Sequence, residues 1–433
     1  MDIEVKGGQV ISGVITPSGS KNSAVALIPA SLLFDEPVTF ENVPDILDVT
    51  RLVTILSQMG SEVNWQKDAK TMTINTKNAS FSNLEKKSLG NIRGTSLLWG
   101  PMLARFKKVS FDELPGGCTL GFRSLEPHYK AFRDLGVVVN DEAHRVDMDA
   151  TKLTAKSFWL EEASPTATEN ALMLATAISG KTRIVGAACE PQVQDLCNFL
   201  VGCGAKITGI GSNIIEVTGG IKLAPKTHRI APDHYEIATF LAMGAVTGGR
   251  VEVAEVKDDF FYPIQRVFSK FGITIAGKDG GLVCERGQKV SIKDGEGRGV
   301  LYVKAQPWPA LPVDILPLFI PLALSAKVGQ VLFHNWMYEA GLFWTSELQK
   351  LGATIVMSDP HRVMVVGGSQ LKGATMEAPY IIRAVVAMVM AAMIAQGEST
   401  ILNADALYRG HPHFSDNLKA MGAHINEIEP SRK

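Results

Sequence analysis

A chain of 433 residues is too long for one ordinary core, so two domains are expected. Its apolar fraction of 46% and charged fraction of 20% exclude a disordered or fibrous protein. A formal net charge of −1 argues against bulk binding to nucleic acid or a membrane surface, so any anionic ligand must be held by locally placed cations.

The chain opens Met1-Asp2-Ile3-Glu4-Val5-Lys6, charged where a secretory signal needs an apolar run, and a cytoplasmic protein is expected. Then one unit recurs. An apolar helix over 23–33 leads to a strand over 38–43, a second helix over 49–58, the pair Met59-Gly60 and a hairpin. The same order returns with a helix over 95–104 and a strand over 109–114 before Leu135-Gly136. It returns again with 169–178 and 182–187 before Cys203-Gly204, and with 235–246 and 251–256 before Phe271-Gly272. The fifth copy has 315–326 and 331–336 before Leu351-Gly352, and the sixth has 384–395 and 400–404 before Met421-Gly422. The six glycines are 76, 68, 68, 80 and 70 residues apart. Each suits a left-handed C-terminal cap, and the β-branched residues beyond favour a strand. The apolar stretches 315–326 and 384–395 run about a dozen residues, short of the ~20 that span a bilayer, and are expected to be core helices.

The sixth unit lacks a returning strand. Ile3-Glu4-Val5-Lys6-Gly7-Gly8 echoes Ile215-Glu216-Val217-Thr218-Gly219-Gly220 at the end of the third, so the N-terminal strand is expected to complete the sixth. Units near 70 residues are longer than the 20–50 of a solenoid repeat, which favours two closed bodies of three units. The expected domains are 21–231, and 1–20 with 232–433, with a cleft between them.

Charged or capping residues stand before each apolar helix: Lys21-Asn22, Arg93, Ser164, Asp233, Asp314 and Arg383. Asp233, Asp314 and Ser164 suit plain caps as well as they suit ligands. Lys21, Arg93 and Arg383 oppose the helix dipole, so something negative should compensate them, and helix N-termini favour anionic ligands. The loop Leu114-Pro115-Gly116-Gly117-Cys118-Thr119-Leu120-Gly121-Phe122-Arg123 has a lid's composition. A lone cysteine there is more often a bystander than a catalyst, although Arg123 nearby favours its thiolate. The five cysteines lack metal spacing and fit a reducing compartment. In Tyr408-Arg409-Gly410-His411-Pro412-His413 the histidines have no third ligand in view; they are expected to be turn residues, with Arg409 the member of interest.

At these residues the chain resembles the enolpyruvyl transferase family. Gly19-Ser20-Lys21-Asn22-Ser23-Ala24 is similar to the family's Gly-Ala-Lys-Asn-Ala-Ala, and the loop 114–121 to its Leu-Pro-Gly-Gly-Cys-Thr-Ile-Gly. Ala167-Thr168-Glu169-Asn170, Glu190-Pro191 and Pro232-Asp233 also fall in family-like phrases, so the likeness runs the length of the chain. The shikimate-pathway synthase shares the lysine motif but not the cysteine loop. The resemblance implies an α/β protein, a two-domain inverse α/β barrel of six βαβαββ-type units. It implies enolpyruvyl transfer from phosphoenolpyruvate to the 3-hydroxyl of UDP-N-acetylglucosamine, the first committed step of peptidoglycan synthesis. It further implies Cys118, Asp314, Lys21 and Arg409 as catalytic residues, and Lys21, Asn22, Arg123, Arg383 and Arg409 as phosphoenolpyruvate ligands. The sugar nucleotide would meet Asn22, Arg93, Arg123, Ser124, Leu125, Glu126, Pro127, Glu162, Ala163, Ser164, Pro165, Asp314 and Leu332. No metal or organic cofactor is implied, because phosphoenolpyruvate carries its own leaving group; no nucleic acid or membrane partner is expected, and a monomer or weak homo-oligomer is. The chain departs from the pattern at His334-Asn335-Trp336-Met337, where the family commonly has Glu-Asn-Arg-Phe, and at Lys304, a position often held by arginine. Another acceptor, shikimate 3-phosphate or a free nucleotide, and a silent nucleotide-sugar-binding regulator are the alternatives.

Overall fold

The computed structural model describes residues 1–84, 93–112, 121, 123–142, 145–256, 261–293, 297 and 299–429. The chain divides into two compact units. One joins Met1–Ser18 to Pro232–Lys433; the other is built from most of the chain between them. Among the described residues there are six small sheets, three in each unit.

In the unit that starts at Gly19, three core helices begin the repeats. Lys21–Ala30 is capped by Ser20, whose side chain accepts from the Ser23 N–H, and Pro165–Thr176 is capped in the same way by Ser164. Trp99–Phe106 follows a 3-10 turn over Arg93–Leu98. Each of the three sheets of this unit has three antiparallel strands, the last in the chain lying in the centre: Val38–Glu41, Thr71–Asn75 and Glu62–Gln66; Lys108–Phe111, Arg145–Asp149 and Val138–Glu142; Gly180–Val185, Ile214–Gly219 and Lys206–Thr208. Two gain a short parallel edge strand, His228–Arg229 on the first and Ser157–Trp159 on the third.

In the other unit the core helices are His234–Thr247, Phe319–Ser325 and Ile382–Ile394. The last is buried without a break from Arg383 to Met393, as expected of a helix apolar on every side. The N-terminal strand Asp2–Lys6 lies between Glu398–Leu402 and Ile425–Ile428, pairing Ile3 with Ile401 on one side and Glu427 on the other. The first and last segments of the chain therefore share one sheet. Parallel edge strands recur here at Gly13–Ile15, Leu301–Lys304 and Thr375–Glu377. All six repeated glycines have positive φ, between 72° and 101°, where a side chain would be strained.

The helices expected over 95–104 and 315–326 start later, because each is preceded by a 3-10 turn. Pro101 and Pro321 supply the reason. Neither has an N–H to bond the carbonyl four residues back, so an α-helix begun a turn earlier would lose a bond there, and each proline sits in the first turn of the helix that forms.

Candidate active site

Within the unit that starts at Gly19, the first helical residue is Lys21, and its ammonium lies 2.8 Å from the Asp48 carboxylate. Asp48 belongs to the first turn of the helix Leu47–Gln58 and its side chain is 5% exposed. The anionic partner that a lysine at a helix start calls for is therefore built in. Asn22 beside it is half-buried. Arg93 opens its 3-10 turn, but its side chain lies outside the described residues, and so does Cys118.

Arg123 is half-buried. The Ser124 hydroxyl accepts from the Glu126 N–H at 3.0 Å, and Pro127 occupies the first turn of the helix Glu126–Asp134. Glu126 is exposed and pairs with Arg133 at 2.6 Å; Leu125 is half-buried. In the second segment Glu162 and Ala163 are exposed, the Glu162 carbonyl accepts from the Ser164 N–H at 2.8 Å, and Pro165 begins the helix.

One buried imidazole ties these two segments together. His128 Nδ1 is 3.1 Å from the Asn170 amide nitrogen and Nε2 is 3.1 Å from the Thr166 hydroxyl. An amide NH2 only donates, so Nδ1 accepts and the proton sits on Nε2. Asn170 also donates to the Ser96 carbonyl and accepts from the Gly100 N–H at 2.6 Å. Nothing in the local sequence marks His128, which lies one residue past the run read as nucleotide-binding. Next to Asn170, burial pushes the Glu169 carboxyl well above its ordinary range, and Glu190 adds to the shift.

In the other unit Asp314 is half-buried in the turn before the 3-10 segment Leu316–Leu318, and Leu332 is half-buried on the strand Gln330–His334. Arg409 closes the 3-10 segment Ala404–Arg409; its guanidinium carbon is 5.0 Å from the centre of the Tyr380 ring. Arg383 is the second residue of its helix, with its guanidinium 5.3 Å from the Tyr235 ring centre. Gly410 lies so close to Ile382 that a Cβ would stand 3.1 Å from its Cδ1, which sets the two arginines on adjoining segments.

His411 follows a turn, as expected, but it is fully buried, and Arg383 Nη1 hydrogen-bonds its Nε2. Its other nitrogen is 3.9 Å from Glu236, which is 1% exposed and accepts from the Ser18 N–H at 2.7 Å. At the position where the family commonly has arginine, Trp336 donates its indole N–H to the Ala305 carbonyl at 2.8 Å, and Lys304 is exposed at the end of its strand. Among the described residues no group of three or more His, Cys, Asp or Glu could hold a metal. No helix of the described residues is long and apolar enough to cross a membrane.

In each unit cations or capping residues stand at the starts of buried helices, a kind of place that suits anions. A model of the EPSP synthase (3-phosphoshikimate 1-carboxyvinyltransferase) family matches residues 5–418, and the chain belongs to this enolpyruvyl transferase family. It is 40% identical to the UDP-N-acetylglucosamine 1-carboxyvinyltransferase of Bradyrhizobium diazoefficiens, over 99% of this chain and 98% of that one. It is 36% identical to the enzyme of the same name from Borreliella burgdorferi, over 98% of each chain. Among solved structures the enolpyruvyl transferase NikO of Streptomyces tendae superposes with a TM-score of 0.86 at 21% identity, covering 98% of both chains. That likeness speaks to the α/β fold alone.

Proposed function

We propose that this chain transfers the enolpyruvyl group of phosphoenolpyruvate to the 3-hydroxyl of UDP-N-acetylglucosamine and releases phosphate, committing the sugar nucleotide to peptidoglycan. The observation that carries this reading is full-length identity to curated enzymes of that name from distant bacteria. In this reading Cys118 gives a proton to the methylene carbon of phosphoenolpyruvate, and the cationic centre that forms at C2 is attacked by the sugar oxygen. Asp314 takes the proton that this oxygen loses. The tetrahedral ketal then loses a proton from the new methyl group and expels phosphate, while Lys21, Arg123, Arg383 and Arg409 stabilise the phosphate and carboxylate charge. Asn22 and Leu332 meet the sugar. Arg93, Arg123, Ser124, Leu125, Glu126 and Pro127, together with Glu162, Ala163, Ser164 and Pro165, meet the nucleotide. The coupling of those last two segments through His128 supports their common role.

The same reading takes the six sheets as the six βαβαββ-type units of an inverse α/β barrel, with domains 21–231 and 1–20 plus 232–433. The protein works in the cytoplasm as a monomer or weak homo-oligomer. None of the steps asks for a metal or organic cofactor, since the phosphate ester is already a leaving group.

The test is phosphate release from phosphoenolpyruvate with UDP-N-acetylglucosamine, shikimate 3-phosphate or UMP, for the native chain and Cys118→Ala. Release with the UDP-sugar alone, lost in the variant, is the expected result. Release with another acceptor would keep the chemistry and overturn the substrate.

A further inference from the structure

The group that meets Arg383 at the mouth of its helix is the buried imidazole of His411. A guanidinium can only donate, so the Nε2 of His411 is unprotonated and its proton is on Nδ1, the nitrogen that faces Glu236 at 3.9 Å. The ring is fixed from the sides: its centre is 5.6 Å from that of Phe414 and 6.4 Å from that of Phe240. It cannot swing away without opening the core.

We propose that His411 is a positioning residue for the reaction: its lone pair holds the Arg383 guanidinium in the orientation that grips phosphoenolpyruvate, and Glu236 behind it sets the pH range of that grip. The inference rests on reading Arg383 as a phosphoenolpyruvate ligand.

Glu236 is faced by Asp233 at the start of its own helix, by Arg383 and His411 from other segments, and by the Ser18 N–H, which donates to it. Burial, with Asp233 second, pushes its carboxyl up to about 7; the Ser18 bond and Arg383 pull the other way. His234 adds no charge at neutral pH, because burial drives it down to about 4. Above pH 7 the ionised Glu236 keeps the imidazole proton on Nδ1 and makes Nε2 a better acceptor for the guanidinium. Below it the carboxyl is neutral, that bias is gone, and Arg383 is held more loosely.

The experiment is calorimetric binding of phosphoenolpyruvate and, separately, of UDP-N-acetylglucosamine to the full chain, at pH 6 and pH 8. His411→Phe should weaken phosphoenolpyruvate about tenfold to a hundredfold, the worth of a hydrogen bond to a charged group, and leave the UDP-sugar within twofold. His411→Gln, which offers an amide oxygen to Arg383, should recover most of the loss. Glu236→Gln should flatten the difference between the two pH values. Unchanged phosphoenolpyruvate affinity in His411→Phe overturns the inference, and so does an equal loss for both ligands, which would mark a merely structural role. Should His411→Phe fail to fold, nitrogen NMR of the native chain decides. An unprotonated Nε2 at pH 8 is expected, and a protonated one overturns the inference. A native chain that binds phosphoenolpyruvate but releases no phosphate with any acceptor sinks the functional reading alone; one that binds none sinks both.

Discussion

Lys21 and Arg383 stand at the same place in two copies of the repeat, the first turn of a buried helix, and they are held in different ways. Lys21 has a nearly buried carboxylate 2.8 Å from its ammonium. Arg383 has an aromatic face and an imidazole lone pair. The difference follows from the cations. An ammonium is a compact, strongly hydrated charge that needs a point counter-charge once it leaves water, whereas a flat, weakly hydrated guanidinium is steadied by flat partners. A cation steadied in that second way keeps its charge for a ligand.

Several substitutions would break or sharpen this contrast. The largest effect is on turnover: Lys21→Met and Arg383→Met should each lower phosphate release about a hundredfold to a thousandfold, as losing one preorganised donor to a developing charge does. If only one of them mattered, the two positions would not be equivalent. Stability comes next. Lys21→Met takes the ammonium away from the nearly buried Asp48 carboxylate and should cost about 3 kcal/mol in urea unfolding, a loss that adding Asp48→Asn relieves. Glu236→Gln, in the other unit, should act in the opposite sense. The folded-state value of about 7 lies above the ordinary carboxyl value of 4.5, so the folded chain binds the extra proton between them. Native stability from this group is full below 4.5 and is lost as pH rises through 7. Glu236→Gln should therefore gain on the order of 3 kcal/mol at pH 8 and nothing at pH 4. The smallest effect is in thiol chemistry. Burial pushes Cys197 and Cys284 up to about 12 and also raises Cys189 and Cys203, so a thiolate reagent at pH 8 should label Cys118 alone in the native chain. Labelling of Cys197 before unfolding would contradict this.

Much of the fold is legible in the sequence because the repeat marks itself. The recurring glycines suit positive φ, the apolar stretches are too short to span a bilayer and read as buried core helices, and the echo between residues 3–8 and 215–220 points to the shared sheet of Asp2–Lys6. The short parallel edge strands were harder, since two residues at His228–Arg229 or three at Gly13–Ile15 carry no period that can be counted. Of the site, the residues at helix starts were legible, because a lysine or arginine against the dipole is conspicuous. Their partners were not. Asp48 is 27 residues from Lys21 and His411 is 28 from Arg383, and only the folded chain brings such pairs together. The burial of His411 is not legible for the same reason: it depends on Phe240 and Phe414, whose rings only the folded chain packs against it.

The most direct test follows the carbon. Phosphoenolpyruvate labelled with carbon-13 at C2 and C3 would be incubated with the native chain and UDP-N-acetylglucosamine, and the nucleotide fraction examined by NMR. The account predicts both labels on the sugar nucleotide, as a vinyl ether on the 3-oxygen, with one phosphate freed for each label transferred. Label that remains in phosphoenolpyruvate, or reaches a different acceptor while the UDP-sugar is untouched, would contradict it.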